Sequence, residues 1–339
     1  MSKGTSAELE QEIKIIVSKI IKVDESRIDP DANIFSEYGV DSLLGVEILA
    51  GLDKKYGLDI PEQKIREMKT LNDIIRIAKE LISKKAIPVI TFDMSKGTSE
   101  YWRKLIRADE AASEDFLKEF RSPLEVFRPL FFAIIDLLCK FYFQIKVIGL
   151  TNIPKTPPYI IAPNHSSALD QTMVSYTIGK EKREQLYTLT VKHFYDRPVA
   201  RVFMKIAANV MRIDSEKDFF PALRAAVKVL KLGRSVYINP EGTRSESGKL
   251  LPFRVGVGML AAETGVPIVP AYIEGTFKSM PPGSSFPKPS EVTVTFGKPI
   301  YMDGYIKMKQ TEKAYDVYKA ITDELFKRVS SLKVRKENL

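Results

Sequence analysis

The sequence predicts two domains: an N-terminal all-α four-helix bundle and a C-terminal α/β domain with a central, mostly parallel sheet. Three observations support this division. Apolar residues recur at helical spacing over the first 85 residues, whereas beyond residue 145 short β-rich runs alternate with amphipathic stretches. The length of 339 residues suits two domains at roughly 100–200 residues each. A stretch rich in Gly, Ser and Lys separates the two patterns. We place the domains at 1–85 and 123–339, with a linker and helical connection at 86–122.

The bundle is predicted from helical segments separated by a loop. The apolar positions of the first helix are Leu9, Ile13, Ile16, Val17 and Ile20. A second helix is expected to begin near Asp41 and Ser42. Thr70 and Asp73 have the spacing of a capping box at the start of the last helix.

The linker contains an exact repeat of the N-terminus. The helical pattern stops at Pro88, and Met94–Ser99 then repeats Met1–Ser6 letter for letter. This repeat supports a domain boundary in the region.

The larger domain begins with helical stretches at 100–120 and 123–143. The expected strands are 146–148, 159–162, 186–191, 210–213, 235–238, 268–273 and 292–296. Helices are expected near 168–179, 217–232 and 254–264, with a last helix at about 311–332. Alternation of this kind is typical of a parallel sheet covered by helices.

The charge is divided unequally between the two parts. Residues 1–85 contain 14 Lys and Arg and 16 Asp and Glu, so their net charge is −2, and the rest of the chain carries +11. This indicates that the larger domain works near an anionic partner such as phosphates or a lipid surface. Nucleic acid is not expected, because the sequence has no zinc finger, glycine-rich RNA motif or arginine-rich tract.

The cysteine and histidine counts limit the disulfide bonds and metal sites that the chain can form. One cysteine, Cys139, excludes a disulfide framework, and two histidines, His165 and His193, leave little room for a metal cluster. We therefore expect no metal. The chain starts without a basic-then-apolar signal sequence, so we expect a cytoplasmic protein or one on the cytoplasmic face of a membrane.

The most apolar run, Pro129–Phe143, is too short to span a membrane and is interrupted by Asp136 and Lys140. Its Phe content and flanking Arg128 and Lys146 suit a helix lying in the membrane interface. A buried core helix is the alternative.

A histidine and an aspartate follow the second expected strand. In the segment Asn164–Asp170, Ser167 and Asp170 fit a capping box, which places His165 at a strand-to-helix turn. A carboxylate on one imidazole nitrogen fixes the tautomer and leaves the other nitrogen as a general base. The pattern alone also fits a capping Asp beside an ordinary loop histidine.

A second polar segment, Asn239–Ser245, also follows an apolar strand. Gly242 permits a tight turn with exposed backbone N–H groups. Donors suited to a phosphate are Thr243, Arg244 and Ser245, with Arg254 as a further charge. A polar surface turn is the alternative. Gly265–Ala271 is interpreted as a helix stop and a buried strand.

In this order, over roughly residues 125–300, these elements resemble the glycerolipid acyltransferase family, whose type member is 1-acylglycerol-3-phosphate acyltransferase. The resemblance implies that His165 takes the proton of an acceptor hydroxyl, which attacks a fatty acyl thioester directly, and that Asp170 orients the imidazole. It implies a phosphate site at Glu241, Gly242, Thr243 and Arg244, with Arg254 and Lys192 as further basic residues. It also implies that the helices before the motif sit on a membrane.

One position departs from the family pattern. Relatives often carry an Arg after an Ile-Asp pair, but here Ser215 follows Ile213 and Asp214. Arg212, directly before this pair, is the candidate to replace that Arg. In a strand, however, its side chain would point to the opposite face from those of Ile213 and Ser215. The acceptor therefore stays open: a lysophospholipid, glycerol 3-phosphate, an amino-acid lipid or a specialised-metabolite hydroxyl.

The segment Gly39–Leu43 opens the second helix, with an amphipathic helix and a long loop before it and Tyr56–Pro61 after it. This arrangement resembles the acyl carrier protein family over almost all of residues 5–85. The resemblance implies that Ser42 carries 4′-phosphopantetheine, added by a phosphopantetheinyl transferase that recognises Asp41 and Ser42. Ordinary helix capping is the alternative.

Together the two resemblances imply a membrane-associated acyltransferase, peripheral on the cytoplasmic face. Its acyl donor would be its own carrier, loaded by a ligase or a fatty acid synthase, or acyl-CoA. A non-catalytic carrier and lipid-binding scaffold is the rival interpretation.

Overall fold

The computed structural model describes residues 6–40, 42–58, 64, 67–84, 114–118, 122–191, 198–207, 209–213, 219–284 and 286–333. The chain forms two compact units, one mainly Met1–Lys104 and the other mainly Leu105–Glu312 with Asp316–Leu339. The predicted domain limits at 85 and 123 stay predictions, because most of residues 85–121 lie outside the described residues.

The smaller unit is helical, as predicted. Its helices are α1 (Ser6–Ile21), α2 (Ile34–Glu37), α3 (Ser42–Tyr56) and α4 (Leu71–Lys84), with a 3₁₀ turn at Glu25–Arg27. Its core includes the fully buried Ile13 and Val17 of α1, Leu49 and Leu52 of α3, and Ile74 of α4. The prediction of four bundle helices is not tested, since α2 has only four residues and residues 59–63 are not described.

The predicted capping box of α4 is present in full. The Thr70 hydroxyl accepts the backbone N–H of Asp73 at 3.1 Å, and the Asp73 carboxylate accepts the N–H of Thr70 at 3.2 Å. Two N–H groups that the first turn leaves unpaired are satisfied in this way.

The larger unit contains the α/β domain. Its helices are α5 (Glu114–Lys118), α6 (Arg128–Tyr142), α7 (Asp170–Thr177), α8 (Gly179–Glu184), α9 (Pro198–Ala207), α10 (Phe219–Lys231), α11 (Gly256–Thr264), α12 (Thr276–Ser279), α13 (Asp303–Met308) and α14 (Ala314–Ser331). Its strands are β1 (Phe143–Ile148), β2 (Ile160–Pro163), β3 (Leu186–Val191), β4 (Val210–Ile213), β5 (Ser235–Tyr237), β6 (Ile268–Glu274) and β7 (Ser290–Phe296). Two 3₁₀ turns lie at Pro123–Phe127 and Leu150–Asn152.

The seven strands form one sheet in the order β1-β7-β6-β2-β5-β3-β4. Strands β2 to β6 run parallel, whereas β7 pairs antiparallel with β6 and β1 pairs parallel with β7. The prediction of a mostly parallel sheet is confirmed. The reversed pair β1 and β7 could not be predicted from strand runs, because the alternation of elements does not give strand direction.

The order of strands brings three connections to one edge of the sheet. Strand β2 lies between β5 and β6 and is parallel to both. Because the carboxyl ends of parallel strands meet at the same edge, the loops that follow β2, β5 and β6 converge there. Both polar segments singled out in the sequence begin in these loops.

Helix α6 has two different faces. On its inner face Cys139 is buried, and Asp136 forms a bidentate ion pair with the buried Arg183 of α8, at 2.7 and 3.2 Å. Its outer face is apolar yet exposed, with Phe141 75% exposed. The other exposed apolar residues of this face are Leu130, Ile134, Leu137 and Leu138. The alternative of a buried core helix is therefore wrong. Within the described segments, no helix combines the length and apolar character needed to cross a membrane.

The close packing of α11 on α14 depends on Gly258. A Cβ built on this glycine would clash with the backbone carbonyl of Tyr318 and approach the Thr322 hydroxyl. Gly258→Ala is therefore expected to lower the free energy of unfolding by about 1–3 kcal/mol through overpacking. Chemical denaturation followed by circular dichroism measures this change.

Gly304→Ala in α13 is the matched control, because nothing lies within 4 Å of its Cβ position. This helical substitution should leave stability unchanged or raise it slightly. Equal stability of the two variants would contradict the close approach of the helices.

Candidate active site

His165 and Asp170 lie together at the carboxyl end of β2. The imidazole Nδ1 is 3.0 Å from Oδ2 of Asp170. The Asp170 side chain is fully buried, whereas that of His165 is 22% exposed. The pair that the spacing predicted is therefore formed, with its carboxylate inside the protein and its imidazole reaching toward the surface.

The surroundings of Asp170 determine the tautomer of His165. The backbone N–H groups of Ser166 and Ser167 each donate to Oδ2 at 2.8 Å, and the Thr276 hydroxyl donates to Oδ1 at 2.6 Å. Donors that converge on a carboxylate favour its ionised form. Because an ionised carboxylate only accepts hydrogen bonds, Nδ1 of His165 must carry the proton. The Nε2 lone pair is then free to accept one.

The predicted capping box at Ser167 and Asp170 is only half formed. Asp170 accepts the Ser167 N–H, but the Ser167 hydroxyl accepts the N–H of Leu169 at 3.2 Å and donates to the carbonyl of Met280 at 2.7 Å. Helix α7 starts at Asp170 itself. The Ser167 hydroxyl is directed to these two groups, so the N–H of Asp170 donates to the backbone carbonyl of Ser167 instead, at 3.3 Å.

Asn164 fixes the loop after β2 against β6. Its side-chain amide donates to the carbonyl of Ile273 at 3.0 Å and accepts the N–H of Ile273 at 2.7 Å. Its backbone carbonyl accepts the side-chain amide of Asn239 at 3.3 Å. This buried asparagine therefore links the ends of three neighbouring strands, β2, β6 and β5.

The backbone of His165 is held at both its polar groups by the loop after β5. Its N–H donates to Oε1 of Glu241 at 2.7 Å, and its carbonyl accepts the N–H of Ser245 at 2.8 Å. The turn 242–244 lies between these two contacts. The candidate base and this turn are consequently fixed in one arrangement.

The place of the Glu241 side chain differs from the phosphate-binding role that the resemblance implied. Its second oxygen, Oε2, accepts the N–H of Leu251 at 3.0 Å, and the residue is 3% exposed. Burial raises the pKa of this carboxyl above its usual range, although the two N–H donors oppose the shift. A carboxylate offers no donor to a phosphate, so the Glu241 side chain acts as a brace between loops.

The rest of the predicted phosphate site forms one surface turn. Gly242 and Thr243 are exposed and Arg244 is half-buried. Gly242 has φ +71°, and a Cβ there would lie 2.6 Å from Nε of Arg254. The structure thus brings the Arg254 side chain against Gly242, and the phosphate-binding role of this turn stays a prediction.

Four predicted site residues are described only in part or not at all. Lys192 and Asp41 lie outside the described residues. Ser42 is the first residue of α3. Arg212 lies in β4 and pairs with Thr190 of β3. Strand β4 is three strands from β2, which corresponds to about 14 Å between the two strands at the usual strand spacing. The roles of these residues stay predictions.

Sequence reasoning missed Thr276 and the bracing role of Glu241. Thr276 lies 106 positions beyond Asp170, and only the folded sheet brings them together. No spacing rule connects them. The Gly275-Thr276 pair directly after a buried strand was the one available signal.

Comparison with protein families gives two matches. Residues 144–274 match the family described as Acyltransferase, and residues 11–77 match the family described as Phosphopantetheine attachment site. The chain carries an acyltransferase domain and a phosphopantetheine attachment domain. Both predicted family assignments are confirmed. The first match contains His165 and the turn 242–244, and the second contains Ser42.

The acyltransferase part is similar to several curated relatives. It is 31% identical over 162 residues to 1-acyl-sn-glycerol-3-phosphate acyltransferase BAT2, chloroplastic, of Brassica napus, covering 47% of this chain and 46% of that one. Identity is 33% over 165 residues with the LPAT1 enzyme of the same description from Arabidopsis thaliana, covering 47% and 44%. The chain therefore spans less than half the length of these two relatives.

A solved structure is also similar. The 1-acyl-sn-glycerophosphate (LPA) acyltransferase PlsC from Thermotoga maritima aligns with 71% of this chain and 90% of its own, with 23% identity and a TM-score of 0.48.

Glu241→Ala tests the brace. The substitution leaves the N–H groups of His165 and Leu251 without their acceptor and should lower the free energy of unfolding by about 2–4 kcal/mol. Glu246→Ala, an exposed carboxylate in the same loop, is the control and should change stability by less than about 0.5 kcal/mol.

The contribution of Glu241 to folding stability should change with pH in one direction. Since the folded-state pKa of Glu241 lies above its ordinary value of 4.5, the folded protein binds this proton more tightly than the unfolded chain. The stability advantage of the wild type over Glu241→Ala should be largest below pH 4.5 and shrink as the pH rises through the folded-state pKa. An advantage that grows with pH would contradict the raised pKa. Urea titrations at several pH values measure it.

Proposed function

We propose that this protein transfers a fatty acyl group from a phosphopantetheine thioester to the hydroxyl of a lysophospholipid such as 1-acylglycerol 3-phosphate. The observation that carries the proposal is the fixed arrangement of His165. Its imidazole pairs with a buried carboxylate, and its own backbone is bonded to both sides of the 242–244 turn. A base and an anion-binding turn held together suit an acceptor that carries a hydroxyl near a phosphate.

The chemistry needs one proton acceptor. Nε2 of His165 takes the proton of the acceptor hydroxyl as its oxygen forms a bond to the thioester carbonyl carbon. The carbon–sulfur bond then breaks, and the imidazolium returns the proton to the departing sulfur. Asp170 holds the ring in place and stabilises the imidazolium while it is charged. No acyl-enzyme and no metal enter this scheme.

The acceptor phosphate is assigned to the exposed turn. Thr243 offers a backbone N–H group, whereas the N–H of Gly242 donates to the carbonyl of Asn239 at 3.1 Å. The guanidinium groups of Arg244 and Arg254 offer forked donors that match phosphate oxygens. The Arg254 side chain already lies over Gly242. Lys192 and Arg212 are further basic candidates. Relatives whose names specify 1-acyl-sn-glycerol-3-phosphate support this class of acceptor.

The position of Ser42 fits a phosphopantetheine attachment. Ser42 is the first residue of the 15-residue helix α3, and the unpaired N–H groups of a helix N-terminus favour a phosphate. The match to the attachment family supports a covalent group there, with Asp41 beside it for recognition by a phosphopantetheinyl transferase. The group would supply the thiol on which a ligase or a fatty acid synthase loads the acyl chain.

A carrier in the same chain favours its use as the donor. A short tether raises the local concentration of a bound group to about the millimolar range. Acyl-CoA in solution is the competing donor, and the carrier would then be idle in this reaction.

A single-turnover discharge assay tests the proposal. Ser42 is loaded with a labelled acyl-phosphopantetheine, mixed micelles containing 1-acylglycerol 3-phosphate are added, and intact mass and lipid analysis follow the label. The wild type should transfer it, and His165→Ala should slow transfer by about 10²–10⁴-fold, the usual contribution of a general base. His193→Ala is the matched control and should keep wild-type rates.

Each result assigns a role. Transfer by His165→Ala at the wild-type rate would reject the base. A label that leaves Ser42 only when glycerol 3-phosphate or another hydroxyl replaces the lysophospholipid would correct the acceptor. Ser42→Ala should retain activity with acyl-CoA only if the carrier is not required. A label that stays on Ser42 with every acceptor would support the rival scaffold interpretation.

Exposed apolar side chains support contact with a lipid surface. The outer face of α6 is continued by Val126 and Phe127 of the preceding 3₁₀ turn and by Val202 and Phe203 of α9. Helix α9 packs on both elements, and the rings of Phe131 and Phe203 lie 5.6 Å apart. We call the exposed apolar residues of these three elements the apolar face, and we assign it to the cytoplasmic leaflet of a membrane, where a lysophospholipid resides.

The double substitution Leu137→Glu with Phe141→Glu tests the apolar face. Burial of each large apolar side chain contributes about 1.5–3 kcal/mol, so binding to phosphatidylcholine and phosphatidylglycerol vesicles should weaken by at least about 10-fold. Vesicle co-sedimentation measures it. Tyr301→Glu, at a residue 62% exposed outside the apolar face, is the control. Unchanged vesicle binding by the double variant would remove the apolar face from the proposal.

A further inference from the structure

The two oxygens of the Asp170 carboxylate have different partners. Oδ2 accepts from His165 and from the backbone of Ser166 and Ser167, whereas Oδ1 accepts the hydroxyl of Thr276 at 2.6 Å. Thr276 is fully buried. The hydroxyl therefore holds the side of the carboxylate that faces away from the imidazole.

The main chain of Thr276 is fixed by its neighbours. Thr276 is the first residue of α12 and follows Gly275, whose φ is +96°. A Cβ on Gly275 would clash with the backbone carbonyl of Glu291 in β7, so the turn between β6 and α12 lies close against that strand. The hydroxyl is thus presented to Asp170 from a turn with little freedom to move.

A second hydroxyl extends the chain of hydrogen bonds. Oγ of the buried Ser166 lies 3.4 Å from Oγ1 of Thr276. Because Thr276 uses its proton on Asp170, it can only accept here, and Ser166 is the donor. Ser166 therefore donates to Thr276, and Thr276 donates to Asp170.

Anchoring both oxygens has a consequence for the imidazole. The terminal torsion of an aspartate is soft, so a carboxylate held on one side can rotate. With Oδ1 held, the carboxylate plane is fixed and Oδ2 stays directed at Nδ1 of His165. A hydrogen bond to a charged group is also shorter and stronger than a neutral one, which suits an anchor.

We propose that Thr276 is a positioning residue for acyl transfer, which acts through Asp170 to hold His165 in its reactive orientation and tautomer. The assignment rests on the proposed function. Titratable groups near His165 in the described structure include Asp170 of α7 and Glu241 of the loop after β5, and the buried Tyr237 of β5 interacts electrostatically with both carboxylates.

The test compares Thr276→Val, which removes the hydroxyl, with Thr276→Ser, which keeps it. In Thr276→Val, kcat should fall about 10-fold, a part of what the general base contributes, while KM stays within about 2-fold. Thr276→Ser should recover most of the rate. Thr322→Val is the control, because Thr322 is also buried and its hydroxyl, among the described residues, donates to a helix carbonyl, that of Tyr318.

A readout independent of activity is the ionisation of His165. With two histidines in the chain, ¹⁵N NMR resolves His165 and uses His193 as the internal reference. In Thr276→Val the carboxylate faces the imidazole less directly and stabilises the imidazolium less. The pKa of His165 should therefore fall, the Nδ1–H tautomer should lose population, and the acid limb of kcat/KM should move to lower pH.

The outcomes separate the two claims. A wild type that transfers acyl groups, with Thr276→Val unchanged in kcat and in the His165 pKa, would overturn the positioning role. A rise in that pKa would also overturn it, since the hydroxyl would then only weaken the carboxylate charge. A wild type without acyl transfer whose His165 pKa still falls in the variant would reject the proposed function and keep the coupling. If Thr276→Val does not fold, Thr276→Ala removes the hydroxyl without adding a methyl group in its place.

Discussion

The architecture of the larger unit is constrained by one buried charge. The Asp170 carboxylate is fully shielded from water, and an ionised group in that position is tolerated only when donors surround it. Its donors come from the β2–α7 turn and from the first residue of α12. The parallel pairing of β2 with β6 brings these two segments together at the carboxyl ends of the strands. The burial of Asp170 and the orientation of the imidazole therefore depend on this pairing.

A second layer of hydrogen bonds converts this arrangement into a site. Glu241 and Ser245 hold the backbone of His165 from the loop after β5, while Asn164 holds the start of the same turn against β6. Each contact uses a backbone group that the strand end leaves unpaired. In the proposed reaction this matters because the distance between the base and the acceptor phosphate is set by main chain rather than by flexible side chains.

The sequence could predict secondary structure and helix capping, which depend on neighbouring residues. It could predict few of the contacts between residues that are far apart in the sequence. Alternating runs predicted the sheet, and the Thr70 and Asp73 spacing predicted a capping box that is present. The same spacing at Ser167 failed in half of its contacts, because the Ser167 hydroxyl donates to the distant carbonyl of Met280 and accepts the N–H of Leu169. The family resemblance implied a phosphate-binding role for Glu241, yet its carboxylate accepts the backbone N–H groups of Leu251 and His165. Local sequence patterns indicate which secondary structure a segment prefers, whereas the partners of a buried charged side chain are determined by tertiary contacts.

Helix α6 shows how one interrupted apolar run can serve two environments. Asp136 and Lys140 break the run, which is why it cannot be a membrane span. Asp136 lies on the inner face, bonded to Arg183, whose guanidinium also lies 4.0 Å from the centre of the Phe132 ring. The charge therefore attaches the helix to the α/β domain, while the opposite side is apolar at Leu130, Ile134 and Leu137. The Lys140 ammonium borders this side, 5.6 Å from the centre of the Phe141 ring. The lipid surface proposed for this helix would cover the exposed apolar side chains and remove their contact with water.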